Sequence, residues 1–201
     1  MSMDAKSQLD NHAVKPSIVA FCREQGADLV GFAPVKRWEE AGEVPREFWP
    51  QSLWAPAQTV IVIGMQMPLP IVETTPSILH EELYNTCNRE LDSLAFNLVR
   101  FLNRQGYASY YFTRDGYGSL KILKKRMYAA FGHVAAARYA GLGNIGLSHN
   151  LLTPEFGPRV RLISVFTSLI LEPDPMIAKA LCIQCGACAK CWPKNALIPR
   201  E

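Results

Sequence analysis

The chain has 201 residues, of which 49% are apolar and 19% charged, with a formal net charge of +3. That length supports one well-buried core with a small appendage, and so small a charge excludes the basic footprint of a nucleic-acid binder. The amino-terminal segment MSMDAKSQLDNHAV is polar and lacks the apolar core of a secretory signal, and every apolar run is strand-sized, so a cytoplasmic protein without membrane or DNA partners is expected.

In chain order, Pro16–Gln25 places apolar residues at helical spacing and is followed by Gly26, which predicts a helix with a glycine stop. Asp28–Ala33 reads as a short strand, and Pro34–Ala57 as an irregular excursion with a short helix at Lys36–Ala41. Thr59–Met65 is β-branched and continuously apolar, as a central strand buried on both faces is. After a proline-rich loop at Met67–Pro76, a long helix starts near Ser77. Its apolar stripe runs Tyr84, Cys87, Leu91, Leu94, Ala95, Leu98, Phe101, Leu102, and it stops before Gly106. Tyr107–Thr113 reads as a strand and Leu120–Ala140 as helical with a break at Gly132. Gly141, Gly143 and Gly146 form a spaced turn, Arg159–Ser168 reads as another central strand, and Pro173–Pro175 marks a boundary. The mixture of elements predicts an α/β (α+β) fold with a mixed sheet flanked by helices. Residues 1–175 form its main domain, and residues 176–201 a short carboxy-terminal segment.

That last segment carries the sharpest chemical signal. Cys182, Cys185, Cys188 and Cys191 follow one another at C-x2-C spacing in LCIQCGACAKCWPKNAL. Thiolates so close together can reach separate corners of one iron–sulfur cubane, and bacterial ferredoxin runs have the form C-x2-C-x2-C-x3-C-P. Zinc sites instead separate two cysteine pairs by a longer knuckle, and disulfides need an oxidising compartment. The segment therefore reads as a [4Fe–4S] ligand loop. It departs from the ferredoxin run at one position: Trp192 directly precedes Pro193, and Cys191 sits one residue early. Cys191 is the fourth ligand, a ligand for something else, or no ligand. In the latter cases Cys22 or Cys87 supplies the fourth thiolate, or one iron stays open. Both of those cysteines fall on apolar helical faces, where a small core residue is the plainer reading.

The turn GLGNIG has the letters of a dinucleotide G-x-G-x-x-G, but that fingerprint follows a strand and opens a helix. Here a helical pattern precedes it and LSHNLLTPEFGPRVR follows, so its glycines are expected to serve positive φ and close backbone approach, to another element or to a flat cofactor. Arg159 and Arg161 share a strand face and either pair there or anchor an anionic cofactor tail or substrate. His149 either bonds to backbone or approaches a cofactor, and His133 on its apolar helix is expected to be structural. Tyr107, Tyr110, Tyr111, Tyr117 and Tyr128 cluster mid-chain and read first as packing residues. Lys121, Lys124, Lys125 and Arg126 read as a solvated helix face.

The block AGLGNIGLSHNLLTPEFGPRVRLISVFTSLILEPDP followed by LCIQCGACAKCWPKNAL resembles the family of epoxyqueuosine reductases and corrinoid-dependent reductive dehalogenases. The same order of G-L-G-x-x-G turn, T-P-E-F-G-P-R-V-R strand entry, L-E-P-D exit and ferredoxin cysteines occurs there, and GADLVGFAPV, TVIVIGMQMP and FLNRQGYAS fit upstream. The resemblance implies a nitroreductase-like domain that holds cobalamin base-off, with an iron–sulfur segment passing electrons to the cobalt. It also implies that Gly141, Leu142, Gly143, Gly146, His149, Arg159 and Arg161 line the cofactor pocket, that Cys182, Cys185, Cys188 and Cys191 bind the cluster, and that a tyrosine can serve as proton donor. Expected partners are a reduced donor protein of the ferredoxin or flavodoxin type, a small-molecule substrate and a second copy of the chain. Two positions depart from the family pattern. Met127 stands where epoxyqueuosine reductases carry a catalytic aspartate, with Asp115 out of register, and the second cysteine run of family members does not follow the first before Glu201. Epoxyqueuosine reduction itself is therefore not expected. The rival readings are a non-catalytic electron-transfer or corrinoid-handling protein and a flavin-binding nitroreductase relative.

Overall fold

The structure is a computed structural model that describes residues 3–113, 129–192 and 197, with side chains from Val14 onward. The first helix, α1, spans Met3–Glu24 and so begins well before Pro16, which lies inside it. Pro16 has no N–H to give to the carbonyl four residues before it, and the Ser17 hydroxyl separately donates to the Val14 carbonyl at 2.7 Å. Gly26, at φ 89°, ends the helix, and β1 (Leu29–Pro34) and α2 (Lys36–Ala41) follow where the sequence places them. The excursion after α2 contains a 3-10 turn at Arg46–Phe48 and one helical turn, α3, at Pro50–Leu53. Then come β2 (Thr59–Gln66), a short α4 (Leu69–Val72) inside the proline-rich loop, and α5 (Ile78–Arg104).

Helix α5 forms because its apolar stripe and its ends agree. The Ser77 hydroxyl accepts the His80 N–H at 3.1 Å as N-cap, and past the last turn the Tyr107 N–H reaches back to the Leu102 carbonyl at 3.0 Å across Gly106. Next are β3 (Ser109–Phe112), α6 (His133–Tyr139), the two-residue strands β4 (Asn144–Ile145) and β5 (Leu151–Leu152), β6 (Val160–Thr167) and α7 (Ala187–Cys191). The predicted break at Gly132 is the N-cap position of α6. Asp115, Tyr117, Lys121, Lys124, Lys125, Arg126, Met127 and Tyr128 lie outside the described residues.

The main sheet has the order β1-β2-β6-β3, and all its pairings are antiparallel rather than mixed. A continuous apolar run reports burial on both faces, which strands of either direction satisfy, so direction was not readable from β2 and β6 alone. Both faces are covered. Ile61 and Ile63 of β2 and Ile163 and Val165 of β6 meet Leu91, Leu94, Leu98 and Leu102 of α5 and Ile18 and Cys22 of α1. Their neighbours Val60, Val62, Leu162 and Phe166 meet Trp38, Phe131, Ala136, Ala137 and Tyr139 on the other side. The period-two alternation thus splits two strands between two cores. It also leaves α6 and Leu142 of the glycine turn on the second face, while the chain after β6 runs to edge strand β1 through Asp174 and Phe32.

Candidate functional site

The glycine turn leaves α6 with backbone packed too tightly for side chains. Gly141 has φ 75°, and a Cβ there would stand 2.3 Å from the Pro175 carbonyl oxygen. At Gly143 a Cβ would stand 2.1 Å from the Leu152 carbonyl oxygen, where β4 pairs with β5. These glycines therefore answer the expectation of close backbone approach, and their partners are protein. A helix precedes the turn and a strand follows it, so the dinucleotide geometry is absent here. Leu142 packs into the second core, against Gly31.

Beyond β6 the chain is tied down contact by contact. The Leu171 N–H donates to the Thr59 hydroxyl at 3.1 Å. Asp174 of the L-E-P-D exit accepts from Lys15 Nζ at 2.6 Å and from the Phe32 N–H at 3.0 Å, while its own N–H donates to the Phe32 carbonyl at 3.0 Å. Asn144, in the glycine turn, then holds two points of the segment: its Nδ2 donates to the Ile177 carbonyl at 2.9 Å and its Oδ1 accepts from the Leu181 N–H at 3.1 Å. Cys182 follows at once. A Cβ on Gly146 would lie 3.7 Å from that of Cys182. Hydrogen bonds from the Leu147 and Gln184 backbone N–H groups hold the Cys182 thiol below the ordinary thiol range.

Two left-handed positions on either side of Cys185, Gln184 at φ 52° and Gly186 at φ 70°, reverse the chain into α7, on which Cys188 and Cys191 lie one turn apart. Cys182 and Cys188 are half-buried, and Cys185 and Cys191 exposed. No three cysteine, histidine, aspartate or glutamate side chains among the described residues converge as the ligands of one metal ion do. Cubane ligands bind separate irons, whereas zinc ligands surround one ion. What fits a cluster here is the donor set: four accessible soft thiols in one short loop, one already served by backbone N–H groups. Cys22 and Cys87 are buried, and burial pushes both thiols up, that of Cys22 to about 12. They behave as the core residues the sequence suggested.

The block after the turn closes on itself. Thr153 and Gly157 exchange backbone hydrogen bonds at 3.0 Å, and the Thr153 hydroxyl accepts the Phe156 N–H at 3.0 Å, so T-P-E-F-G is a clasp that aims β6. Arg159 reaches the Met67 carbonyl at 3.4 Å. Arg161 turns to α5, where Nε donates to Asn88 Oδ1 at 3.0 Å, a terminal nitrogen donates to the Tyr84 hydroxyl at 3.1 Å, and the guanidinium stacks 4.2 Å from the Tyr84 ring centroid. The pairing reading thus describes Arg161. His149 is exposed at φ 59°, and its N–H donates to the Gly146 carbonyl at 2.9 Å. His133 lies 2.9 Å from the buried Ser164 hydroxyl through Nδ1.

Between α6 and the start of β6 lies an open cleft of about 230 Å³, lined by His133, Val134, Asn150, Leu151, Val160 and Leu162 among others. It adjoins the turn, but it is smaller than the roughly 300–1,000 Å³ of ordinary ligand pockets, so this cleft by itself does not enclose a corrinoid. Of the tyrosines, Tyr111 packs against the first core, and Tyr110 is half-exposed beside Phe112. Sequence reasoning did not single out Asn144, Tyr84 or Asn88 as contact residues. A buried Asn one turn from a Tyr on an otherwise apolar stripe was the available signal for the latter pair.

No protein-family model matches the chain. It is 34% identical over 84% of its length to a tetrachloroethene reductive dehalogenase of Sulfurospirillum multivorans, of which it covers 37%. It is 24% identical over 94% of its length to an epoxyqueuosine reductase of Bacillus anthracis, of which it covers 54%. The fold matches a catabolic reductive dehalogenase solved with 3-bromo-4-hydroxybenzoic acid at TM-score 0.70 and 22% identity, over 92% of this chain and 25% of that one. It also matches epoxyqueuosine reductase from Streptococcus thermophilus at TM-score 0.60 and 20% identity, over 92% and 54%. A further match, at TM-score 0.68 and 22% identity, over 90% and 25%, is a reductive dehalogenase described in terms of B12-dependent dehalogenation. The resemblance read from the sequence holds, and the chain spans between about a third and about half the length of these two curated relatives. Among the described residues no helix is long and apolar enough to cross a membrane.

Proposed function

We propose that the chain is an iron–sulfur oxidoreductase of the reductase type that its relatives are named for, in which Cys182, Cys185, Cys188 and Cys191 hold a [4Fe–4S] cluster. The supporting observation is the seating of the cysteine segment on the glycine turn, with two backbone N–H groups already directed at the Cys182 sulfur. A bound cluster supplies electrons one at a time. The chain's own contribution is to present four accessible thiols in one short loop, to direct N–H groups at the Cys182 sulfur, and to anchor the loop through Asp174 and Asn144. N–H groups aimed at a ligand sulfur favour the more negative reduced state and raise its potential.

The electron acceptor in this reading is a corrinoid or a substrate beside the turn, and the donor is a small reduced protein. The B12-dependent dehalogenation named for one structural match supports the corrinoid. The 230 Å³ cleft is too small to hold it. Elemental analysis of anaerobically purified protein tests the reading. Iron at about four equivalents per chain with a dithionite-bleached absorption band is the expected result, and cobalt beside it identifies the acceptor. Zinc at about one equivalent without iron overturns the proposal.

A further inference from the structure

Three contacts join the glycine turn to the cysteine segment, and they run in register along both strands of chain. Gly141 abuts the Pro175 carbonyl, Asn144 bridges Ile177 and Leu181, and Gly146 with Leu147 lies against Cys182. The first contact is a backbone approach that needs the absence of a side chain, and the last sets the Leu147 N–H against the Cys182 sulfur. The middle one is different, because it is a single side chain that uses both ends of its amide. Its donor fixes the segment at Ile177 and its acceptor fixes it at Leu181, one residue before the first cysteine. Asn144 is half-buried, and Met176 and Ile183 nearby are exposed, so apolar burial does little to hold this stretch in place.

We propose that Asn144 is the positioning residue of the cluster loop: its two-ended amide bridge keeps Cys182 against the Leu147 N–H and thereby sets the potential and the lability of the cluster. This rests on the reading of the cysteine run as a cluster site. A hydrogen bond to a ligand sulfur stabilises the reduced cluster, so loosening the bridge lowers the potential and opens the loop to chelators. Leucine at the same place removes both hydrogen bonds and keeps the branching and the number of side-chain heavy atoms. Aspartate keeps an acceptor for the Leu181 N–H and loses the donor to Ile177.

The test compares wild type, Asn144→Leu and Asn144→Asp after anaerobic reconstitution with iron and sulfide. Three quantities are measured: the midpoint potential of the visible band, the rate at which a ferrous chelator bleaches it, and amide hydrogen exchange of the metal-free proteins. Asn144→Leu is expected to be reduced at a lower potential and bleached several-fold faster. Exchange at Leu181 and Leu147 is expected to be faster, while protection along α5 stays as in wild type. Asn144→Asp should fall between the two. Wild-type values for potential and bleaching in Asn144→Leu overturn the proposal while the cluster reading stands. So does a change that appears only together with lost protection in α5. A wild-type chain that takes up no cluster overturns both.

Discussion

The seam between α5 and the sheet and the segment that follows β6 are held by opposite means. In the seam, Leu91, Leu94, Leu98, Ile61, Ile63 and Ile163 are wholly buried, and burial of apolar surface supplies the stability. The later segment buries Leu169 and Leu171 in the first core at its start but leaves Ile170 68% and Ile183 85% exposed, and beyond Leu171 its position comes from a few hydrogen bonds to Asp174 and Asn144 and from glycines that let backbone touch backbone. The two regions therefore divide the work: non-directional burial makes a stable platform, and directional contacts set the place and orientation of four thiols upon it.

That division can be broken at either end. Leu98→Ala, in the seam, should cost about 2–5 kcal/mol, seen as a lower urea midpoint at an unchanged slope. Gly141→Ala should cost about 1–3 kcal/mol, because the new Cβ meets the Pro175 carbonyl at a left-handed φ. Hydrogen exchange should then show the segment around 175–182 loosened and α5 untouched. Equal loosening of both would refute the division.

Asp174→Asn keeps shape but loses charge at the Lys15 contact and strength at the Phe32 N–H, for an expected cost of about 1–2 kcal/mol in thermal unfolding. A pH series sharpens the seam's side of the comparison. Burial raises the folded Cys22 thiol from its ordinary 9.0 to about 12, so the folded state holds a proton that the unfolded state releases. This contribution is complete below pH 9 and is lost progressively as the pH rises toward 12, by about 1 kcal/mol at pH 10. Cys22→Ala should show a correspondingly shallower decline, and identical declines would exclude Cys22 as a cause. The smallest effect is expected of Ile183→Ser, at 85% exposure, which should stay within about 0.5 kcal/mol of wild type in the same unfolding assay.

Much of this was legible before any coordinates. The α5 stripe from Cys87 to Leu102, the strands around Ile61 and Ile163, the helix at Lys36–Ala41 and the glycine stops at Gly26 and Gly106 all follow from periodicity and local backbone preference. The start of α1 was missed because Pro16 looks like a first-turn residue, and helical continuation through a proline is decided by context. The strands β4 and β5 are two residues each, too short for any periodic signal. Asn144 was passed over because asparagine in a glycine turn is ordinary turn chemistry, and nothing local marks its amide as spanning to Ile177 and Leu181.

The sequence by itself determined the donor chemistry and the core: four thiols at cluster spacing, two buried cysteines apart from them, and apolar faces of the right period for a layered α/β fold. Those properties reside in residue type and spacing within one segment. Only the tertiary structure decided that the sheet runs antiparallel in the order β1-β2-β6-β3, that Arg161 is committed to Tyr84 and Asn88, and that the glycine turn is the seat of the cysteine segment. These depend on which distant stretches meet, and the free energy that selects the pairing is summed over the whole core rather than carried by any one segment.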